Sequence, residues 1–474
     1  MYNIEEEEVF YLDFSLAQIN NPWWKDRDSI RFDIHVENFE NSVFKHIPRF
    51  LSILEKFEEG IFTIRGPRQI GKTTVLKLLI KKLLDLGEKP VNIFYISLDM
   101  IEDNEELLKL LMDYLNFLES FGRRKTDKVY IFLDEISSVK NWQAAIKYLY
   151  DAGFFKKSFV VLTGSSSYDL KRSSERLPGR RGAGIDIVYL PVTFKEFIEQ
   201  KYGVRMDHHL RDLFSMNESD IEKLVLQLSM YRNDFTSYMT TGGFPKVIDS
   251  YLKGLNISSE TLNTYRDYLY SDIEKFGKSR FIMNQILFKL PEIIGQRFSW
   301  NSLAGELEGV SSKNTVEDYF NLLGMNFLIG TLFFYDFSKG VVRPKKQKKV
   351  YPVDVIITKV IEQVTGKRVE ESKIVEQIVF THLLRFSKDF NSGLVLYTGP
   401  YYWYSEKSKE IDFLVNLDGT IVPVEVKYKN KISPSDFLTM KKVFNRGILV
   451  TKKDTFKVGN IVALPIYAFL LMCG

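Results

Sequence analysis

The sequence predicts an α/β fold that begins with a doubly wound parallel sheet, continues through a helical region and ends in a second α/β part. Short apolar runs near residues 61, 93, 130, 160 and 187 alternate with amphipathic stretches, as strands alternate with helices in such sheets. Residues 200 to 285 have a helical pattern with TTGGFP, residues 240 to 245, as a turn between helices, and strand-like runs return near the C-terminus. A chain of 474 residues is long enough for about three or four domains.

The composition is that of an ordinary globular protein, with 45% apolar and 27% charged residues. The single cysteine, Cys473, excludes an internal disulfide, and with an acidic N-terminus unlike a signal peptide it predicts a cytoplasmic protein. The longest apolar run closes the chain; it has about 14 residues, includes Pro465 and falls short of the ~20 that cross a membrane. We therefore expect this run to be a core element, and we expect no membrane partner.

A glycine-rich stretch follows the first predicted strand and precedes an amphipathic helix. It has the spacing of a phosphate-binding loop, G-x-x-x-x-G-K-T, in the strand, loop and helix context that such a loop requires. Its backbone N–H groups would surround the phosphates of a nucleotide, Lys72 would reach the β and γ oxygens, and the Thr73 hydroxyl would contact Mg²⁺. The predicted ATP-binding residues of this loop are Gly66, Pro67, Arg68, Gln69, Ile70, Gly71, Lys72, Thr73 and Thr74.

Two acids follow the third apolar run, where the end of a parallel strand would place them beside the loop. Asp134 takes the position of a Mg²⁺-coordinating aspartate, and Glu135 that of a residue orienting the attacking water. A pair of acids at a helix N-terminus is the plain alternative, but it does not explain why both follow a wholly apolar strand. Thr163, at the end of the fourth run, offers a hydroxyl that can sense the γ-phosphate. The sequence therefore predicts hydrolysis, with ATP and Mg²⁺ as cofactors.

A glycine-flanked loop before the fifth run carries Arg180 and Arg181. A guanidinium supplied there can act as an arginine finger, either in the same subunit or from a neighbour in a homo-oligomer. Arg180 is the predicted catalytic arginine, although the sequence alone does not decide between the two.

The stretch EIDFLVNLDGTIVPVEVK reads as a β-hairpin with Asp418 and Gly419 at its tip. A two-residue turn at this point sets Asp412 directly opposite Glu425, and like charges so placed are destabilising unless a cation lies between them. Two cations are considered: the ammonium of Lys427 in a solvated salt bridge, or a divalent metal such as Mg²⁺, which prefers oxygen ligands. The residues alone leave both alternatives open.

Basic residues concentrate in the C-terminal part of the chain. Residues 338 to 474 contain 23 Lys and Arg against 13 Asp and Glu. Such an excess predicts a polyanionic partner, with DNA the obvious candidate, although a basic face is often only solvated.

Residues 282 to 353 read as helix, short helix, helix and basic hairpin, which is the outline of a winged helix. Its recognition helix would present Lys313 and Asn314 to a DNA groove, whereas Glu317 and Asp318 on the same helix would repel a duplex. Winged helices also serve as protein contacts, so both kinds of partner stay open. The basic residues of the hairpin, expected near phosphates, are Arg343, Lys345, Lys346, Lys348 and Lys349.

The motifs GPRQIGKTT, IFLDEI, LTGSSS and LPGRRG, followed by GGFP at residues 242 to 245, resemble those of prokaryotic AAA-type ATPases that end in a restriction-endonuclease-like domain of unknown function. The N-terminal NPWW, residues 21 to 24, is similar to a motif of archaeal members. The resemblance spans nearly the whole chain. It implies an ATPase core over residues 1–200, a helical lid over 201–281, a winged helix over 282–353 and a nuclease-like domain over 354–474.

In that last part the predicted elements are a helix over residues 371–386, a strand at GLVLYTG (393–399), the two hairpin strands, a helix near 433 to 444 and a strand at GILVT (447–451). This order of helix, three strands, helix and strand resembles the PD-(D/E)xK nuclease superfamily. On this resemblance Asp412 matches the first acid, and Glu425 and Lys427 match the E-x-K. Glu376 matches a helix acid that is often a metal ligand, and a surface acid is its alternative reading. The resemblance implies Mg²⁺ held by these three acids, with Glu425 and Lys427 acting in phosphodiester cleavage.

Two functions follow as hypotheses. The first is an ATP hydrolase associated with DNA whose C-terminal domain is a metal-dependent nuclease. The second is a nucleotide-dependent regulatory switch in which that domain binds a partner without cutting. Both require ATP hydrolysis at the phosphate-binding loop.

Overall fold

The structure is a computed structural model that describes residues 12–122, 124, 127–165, 179–386, 400–407 and 409–473. The chain divides into two compact units. The first comprises Met1–Ser42, Ile47–Gly66 and Gly71–Tyr189, and the second comprises Val43–His46, Pro67–Ile70 and Leu190–Gly474. The finer division at residues 200, 281 and 353 stays a prediction.

The first unit is built on a five-stranded sheet in which every neighbouring pair of strands is parallel. Its strands, in the spatial order β2-β3-β4-β1-β5, are β1 (Gly60–Arg65), β2 (Ile93–Ser97), β3 (Val129–Asp134), β4 (Ser158–Gly164) and β5 (Asp186–Val188). All five predicted strands are confirmed. The four longer ones are buried nearly throughout, as expected of a parallel sheet with both faces covered.

Helices cover both faces of this sheet. They are α1 (Leu12–Asn20), α2 (Ile34–Glu40), α3 (Leu51–Leu54), α4 (Lys72–Asp85), α5 (Asn104–Ser120) and α6 (Trp142–Asp151). Helices α5 and α6 bury apolar side chains such as Leu111 and Trp142 against one face in a single core cluster. The carboxyl ends of these parallel strands lie at one edge of the sheet, which is where ligands bind in open α/β sheets.

A segment that precedes the sheet in the chain closes its outer edge. This edge segment, residues 21–33, contains the NPWW motif and lies along β2, which is one of the two edge strands. The Asn21 side chain accepts a hydrogen bond from the Tyr95 N–H at 2.7 Å and donates one to the Tyr95 carbonyl at 2.8 Å. The indole N–H groups of Trp23 and Trp24 both donate to the Ile93 carbonyl. The segment therefore satisfies backbone groups that an open edge strand would expose.

The second unit begins with helices. They are α7 (Phe194–Tyr202), α8 (Glu218–Leu228), α9 (Arg232–Thr241), α10 (Pro245–Leu252), α11 (Ser259–Lys275), α12 (Arg280–Ile293), α13 (Trp300–Ala304) and α14 (Lys313–Met325). The predicted glycine turn is confirmed between α9 and α10. Gly242 has a φ of 64°, and the Gly243 N–H donates to the Asp354 carboxylate at 2.7 Å. Because a Cβ on Gly242 would overlap that carboxylate, this turn requires glycine.

An eight-stranded mixed sheet follows, in the spatial order β12-β13-β11-β10-β9-β8-β6-β7. Its strands are β6 (Ile329–Asp336), β7 (Val341–Pro352), β8 (Tyr401–Tyr404), β9 (Glu410–Leu417), β10 (Thr420–Lys427), β11 (Gly447–Thr451), β12 (Phe456–Val458) and β13 (Ile461–Pro465). The accompanying helices are α15 (Val355–Thr365), α16 (Glu371–Leu383) and α17 (Ile466–Leu471). The hairpin β6–β7, expected as the wing of a separate domain, is thus part of the same sheet as β8 to β13.

Other C-terminal expectations have mixed outcomes. The final apolar run forms β13 and α17 and is buried, which confirms it as a core element. None of the helices in the described ranges is long and apolar enough to span a membrane. The predicted strand at residues 393–399 lies outside the described residues. The helix predicted near 433 to 444 is wrong in detail: Pro434–Asp436 is a 3-10 turn that Ser433 caps, and a π-helix, Met440–Phe444, follows.

Candidate functional site

The predicted phosphate-binding loop connects β1 to α4. Gly71 caps the helix with a φ of 107°, Gln69 has a φ of 64°, and Lys72 is the first helical residue. A Cβ on Gly66 would overlap the carbonyl oxygen of Tyr189, so the chain needs glycine here to let the two backbones approach. The loop therefore has the backbone that turns successive N–H groups toward a bound anion.

Lys72, whose ammonium reaches back to the start of this loop, is 5% exposed. It donates to the Gly66 carbonyl at 3.0 Å and lies 3.9 Å from a carboxylate oxygen of Glu135. A buried ammonium is costly unless it is paired, and the Gly66 carbonyl and the Glu135 carboxylate supply that pairing. Phosphate oxygens bound by the loop would meet a positive charge already in place.

The end of β3 brings a carboxylate to the start of α4. Asp134 is buried, and its Oδ2 accepts a hydrogen bond from the Thr73 hydroxyl at 2.7 Å. Its Oδ1 accepts a short hydrogen bond from the Thr163 hydroxyl. Thr163 in turn accepts one from the Glu135 N–H at 3.1 Å, and Glu135 has the left-handed backbone, φ 53°. The structure thus brings together Thr73, Asp134, Glu135 and Thr163, as predicted from three separate stretches of sequence.

The hard oxygens of Thr73 and Asp134 form a donor set suited to Mg²⁺, which takes one or two carboxylates, a hydroxyl and phosphate oxygens. The residues present therefore fit the metal that the sequence predicts.

The two candidate arginines are both engaged in ion pairs. Arg180 contacts Asp151 with two nitrogens, Nε at 2.6 Å and Nη2 at 3.2 Å, and Arg181 lies 2.8 Å from Asp186. An arginine finger at Arg180 would have to release Asp151 first, and its catalytic role stays a prediction.

In the second unit, the hairpin β9–β10 has the predicted register from Leu417–Thr420 to Phe413–Val424. The next pair consists of the two acids, and their side chains bond across the hairpin. The Asp412 N–H donates to the Glu425 carboxylate at 3.2 Å, and the Val426 N–H donates to the Asp412 carboxylate at 2.9 Å. Glu425 thus binds the backbone of Asp412, and Asp412 binds the backbone of the residue that follows Glu425.

Each of the two acids has a lysine partner: Lys427 pairs with Glu425, and Asp412 pairs with a lysine of the predicted basic hairpin. Lys349 comes from β7 and is 1% exposed. Its ammonium lies 3.1 Å from Glu376, 2.8 Å from Glu410 and 3.3 Å from Asp412. Burial alone would lower the pKa of Lys349, but the surrounding carboxylates raise it well above its usual value. We call Glu376, Glu410, Asp412 and Glu425 the acid cluster, and Lys349 pairs with three of its four members.

Other cations balance the acid cluster from its rim. Lys427 makes a short ion pair with Glu425, Lys373 lies 3.0 Å from Glu376, and Arg297 lies 2.9 Å from Glu410. Four carboxylates therefore meet four cationic side chains. Within the part of the chain that the structure describes, no group of three or more His, Cys, Asp or Glu is arranged to hold a metal ion.

The structure places the predicted residues of the acid cluster in different electrostatic environments. Of the two readings of Glu376, the surface acid is wrong, because the residue is 7% exposed and accepts a short hydrogen bond from the buried Tyr351 hydroxyl. Burial raises the pKa of Glu425 and the neighbouring Asp412 raises it further, to about 8. The pKa of Asp412 is lowered instead: burial opposes this, but Lys349 and Lys427 outweigh it.

The predicted basic wing is only partly exposed, so the expectation of five lysines and arginines near phosphates is wrong. Lys348 is 5% exposed, with its ammonium 5.2 Å from the ring centroid of Trp300, and Lys349 is in the acid cluster. Arg343 pairs with Asp336 at 3.3 Å. Lys348 and Lys349 are adjacent on β7 and therefore point to opposite faces of the sheet, yet both are buried, a consequence of packing that a charge count does not capture.

Three family models match the chain. Residues 58–198 match an AAA domain, residues 232–367 match a domain of unknown function, DUF8612, and residues 371–469 match another, DUF4143. Together with the geometry of the loop and of Asp134, the first match identifies an AAA-type P-loop ATPase domain. Domains of this class use ATP and Mg²⁺.

Two relatives match most of the length of this chain, and both are uncharacterized proteins. The protein MJ1637 of Methanocaldococcus jannaschii is 24% identical over 456 residues, covering 93% of this chain and 90% of that protein. A protein of Haemophilus influenzae is 26% identical over 440 residues, covering 89% and 97%.

Two solved structures are similar at lower identity. The Walker-type ATPase PABY2304 of Pyrococcus abyssi is 15% identical, with a TM-score of 0.41, and the match covers 66% of this chain and 94% of that one. The ORC1 protein of Aeropyrum pernix, solved in complex with DNA, is 13% identical with a TM-score of 0.31, over 72% and 96%.

Proposed function

We propose that this protein is a Mg²⁺-dependent ATP hydrolase that associates with DNA, and that its C-terminal sheet binds without cutting. The observation that supports hydrolysis is the meeting of Lys72, Thr73, Asp134 and Glu135 at one end of the parallel sheet. A domain made only to hold a nucleotide needs the loop and the lysine. A second acid beside the metal carboxylate adds a group that can act on water.

Each residue of this site has a distinct task in the proposed reaction. Lys72 neutralises charge on the β and γ oxygens, and Glu135 orients the attacking water and takes its proton. Thr163 holds Asp134 through its hydroxyl and Glu135 through the backbone N–H, so the two acids keep a fixed relation. Mg²⁺ held by Thr73 and Asp134 would offset charge that develops on the transferred phosphoryl group.

Two variants test hydrolysis. Lys72→Ala is expected to lose measurable ATP turnover and most nucleotide affinity, because the phosphates lose their buried cation. Glu135→Gln should keep ATP binding but slow phosphate release at least about a hundredfold, the usual contribution of a general base. Wild-type turnover in Glu135→Gln, measured as released phosphate under saturating ATP, would contradict the proposed role.

The proposed DNA association is supported by the basic excess after residue 338 and by four exposed polar side chains: Lys313, Asn314, Lys345 and Lys346. We expect retention of the full chain on duplex DNA that weakens steeply with salt. Lys345→Ala with Lys346→Ala should shift the logarithmic salt slope by about 2, one unit for each lost phosphate contact. No retention at low salt, with unchanged ATP turnover, would leave the ATPase standing and remove DNA as the partner.

Lys349 supports a binding role for the C-terminal sheet, since its ammonium already pairs with Glu376 and Asp412, two of the three acids that would hold a metal. Metal-dependent cleavage is a second candidate, favoured by the facing of Asp412 and Glu425 on the hairpin. Single-stranded, duplex and branched DNA, each with Mg²⁺ or Mn²⁺ and with or without ATP, distinguish the two. We expect no cleavage above that of Glu425→Ala. Cleavage by wild type that Glu425→Ala abolishes, with ATP turnover retained, would establish the nuclease instead.

A further inference from the structure

A third hydroxyl contacts the buried carboxylate of Asp134. The Tyr95 hydroxyl donates to Oδ2 at 3.2 Å, the same oxygen that accepts from Thr73. Tyr95 is on β2, next to β3, and is 5% exposed. The hydroxyl reaches Asp134 from the sheet, whereas Thr73 approaches from α4. Together with Thr163 on the other oxygen, these contacts leave the carboxylate little freedom to rotate.

The backbone of Tyr95 is fixed by the edge segment. The N–H and the carbonyl of Tyr95 both form hydrogen bonds with the Asn21 side chain. Since Asn21 is fully buried and also donates to the Ala17 carbonyl at 2.7 Å, the amide is held in one orientation. A shift of β2 along its length would therefore break contacts with a residue far away in the chain.

The ring of Tyr95 is fixed by a lysine of the helix that follows the phosphate loop. The Lys77 ammonium is 3.5 Å from the centroid of this ring and 5.2 Å from that of Trp23. It is only 5% exposed and makes an ion pair of 3.1 Å with Asp33, the last residue of the edge segment. A cation over an aromatic face is worth most where water is excluded. Lys77, paired with Asp33, thus restricts the ring of Tyr95, and Asn21 restricts its backbone.

We propose that Tyr95 is a positioning residue for Mg²⁺-nucleotide binding: its hydroxyl orients Asp134, and the edge segment acts on the metal site through Tyr95. The inference rests on the proposed ATP hydrolysis and adds that the NPWW-containing segment contributes to the ATPase site. The residues Asn21, Asp33 and Lys77 touch neither nucleotide nor metal in this scheme. Their effect passes through a single hydroxyl.

A plainer account is that the hydroxyl only satisfies its own need for a partner in the core. Tyr130 provides the comparison, because it lies on β3 and donates its hydroxyl to Glu88 at 2.8 Å. It precedes Asp134 by four residues, about 13 Å along the strand. Tyr130→Phe therefore removes a similar tyrosine hydrogen bond from the same sheet without touching the carboxylate.

The test measures how much Mg²⁺ strengthens the binding of a fluorescent, non-hydrolysable ATP analogue to the full chain, as the ratio of affinities in Mg²⁺ and in EDTA. Tyr95→Phe should reduce this ratio about tenfold, the usual effect of losing a hydrogen bond to a charged group, and leave the affinity in EDTA within about twofold of wild type. Lys77→Gln, which keeps a donor for Asp33, should reduce the ratio in the same direction. Tyr130→Phe should leave it unchanged.

A Tyr95→Phe ratio equal to that of wild type and Tyr130→Phe would overturn the inference while leaving the proposed hydrolysis intact. Equal reductions in Tyr95→Phe and Tyr130→Phe would overturn it as well, because they would mark a general effect of loosening the sheet. Absence of any nucleotide binding by the wild-type chain would instead remove the proposed function on which the inference rests.

Discussion

At the scale of single residues, the least expected feature is a buried ammonium that serves three carboxylates. Breaking such a group by removing one member is costly, since the remaining charges stay buried without compensation. Lys349 has no close substitute: Lys427 and Lys373 lie at the rim and each already pairs with one acid. The stability of the second unit should therefore depend on this one side chain.

Lys349→Met is expected to lower the free energy of unfolding by about 3 to 5 kcal/mol, the range for uncompensated buried ion pairs. Lys346→Met, on the exposed part of the same strand, is the matched control and should change it by less than about 0.5 kcal/mol. Urea unfolding followed by circular dichroism measures both. Equal stabilities of the two variants would mean that Lys349 contributes no net stabilisation.

A second residue-scale feature is a histidine that the fold keeps neutral. His382 is fully buried; its Nε2 accepts a hydrogen bond from the Phe194 N–H at 2.8 Å, and its Nδ1 lies 2.8 Å from the Ile378 carbonyl. Burial lowers the pKa of His382 to about 3, and the positive charge of Arg385 adds to this effect. Protonation would place a second N–H against that of Phe194.

The unfolded chain binds this proton near pH 6.5, whereas the folded chain does not. The contribution of His382 to the free energy of unfolding is therefore present in full above pH 6.5 and declines as the pH falls toward 3. The expected loss between pH 6.5 and 5 is about 2 kcal/mol. Glu196, nearby, does not interfere in that window: burial opposes ionisation, but Arg385 and His46 hold its pKa at about 2, so its contribution is lost only below about pH 4.5. Two buried carboxyls oppose this effect, because the pKa of Glu425 is raised to about 8 and that of Asp354 to about 7, so that both add stability as the pH falls through the same interval. The contribution of His382 is therefore measured as a difference: the stability of wild type relative to His382→Gln, from urea unfolding, should fall by about 2 kcal/mol between pH 6.5 and 5. Parallel curves would exclude His382 as the cause.

At the scale of elements, the edge segment replaces a missing strand. A parallel sheet ends in unpaired N–H and C=O groups unless something covers them, and Asn21 covers two with one side chain. An asparagine amide carries both a donor and an acceptor, as a peptide group does. This explains why asparagine, rather than aspartate or serine, suits the position.

Asn21→Ala should destabilise the first unit by about 2 to 4 kcal/mol, since it leaves the Tyr95 peptide groups buried without partners. The neighbouring Asn20, which makes one half-buried hydrogen bond to the Leu16 carbonyl, offers a matched control. Asn20→Ala should cost about 1 kcal/mol or less. Thermal unfolding and light scattering on heating compare the two. Similar values, with no added aggregation of Asn21→Ala, would show that the edge does not need this cover.

At the scale of the whole molecule, what the sequence predicted well is what short stretches encode. The five strands of the first sheet are apolar runs, and the loop from Gly66 to Thr74 is contiguous, so pattern and structure coincide. Asp134 and Thr163 were predictable because parallel strands end together at one edge of a sheet. The register of the hairpin followed from its two-residue turn.

What the sequence did not predict depends on neighbours that are far apart in the chain. Lys349 lies in a basic run that reads as a surface wing, and only the pairing of β6 with β8 carries it into the acid cluster. Tyr95 and Lys77 are separated by a helix and a loop, and neither belongs to a recognisable motif. One signal for the burial of Lys349 was that it lies on the same face of β7 as Tyr351, close to the apolar end of the strand.

Lys349 also has a consequence for how the second unit depends on its surroundings. A counter-ion that is part of the polypeptide cannot be chelated, exchanged or diluted, so the unit should assemble equally well whether divalent ions are scarce or abundant. EDTA is accordingly expected to leave the unfolding transition of the second unit unchanged, whereas it would destabilise a domain that depends on a bound metal. The concentration of Mg²⁺ would then affect only nucleotide binding and hydrolysis in the first unit, and the stability of the second unit would not depend on it.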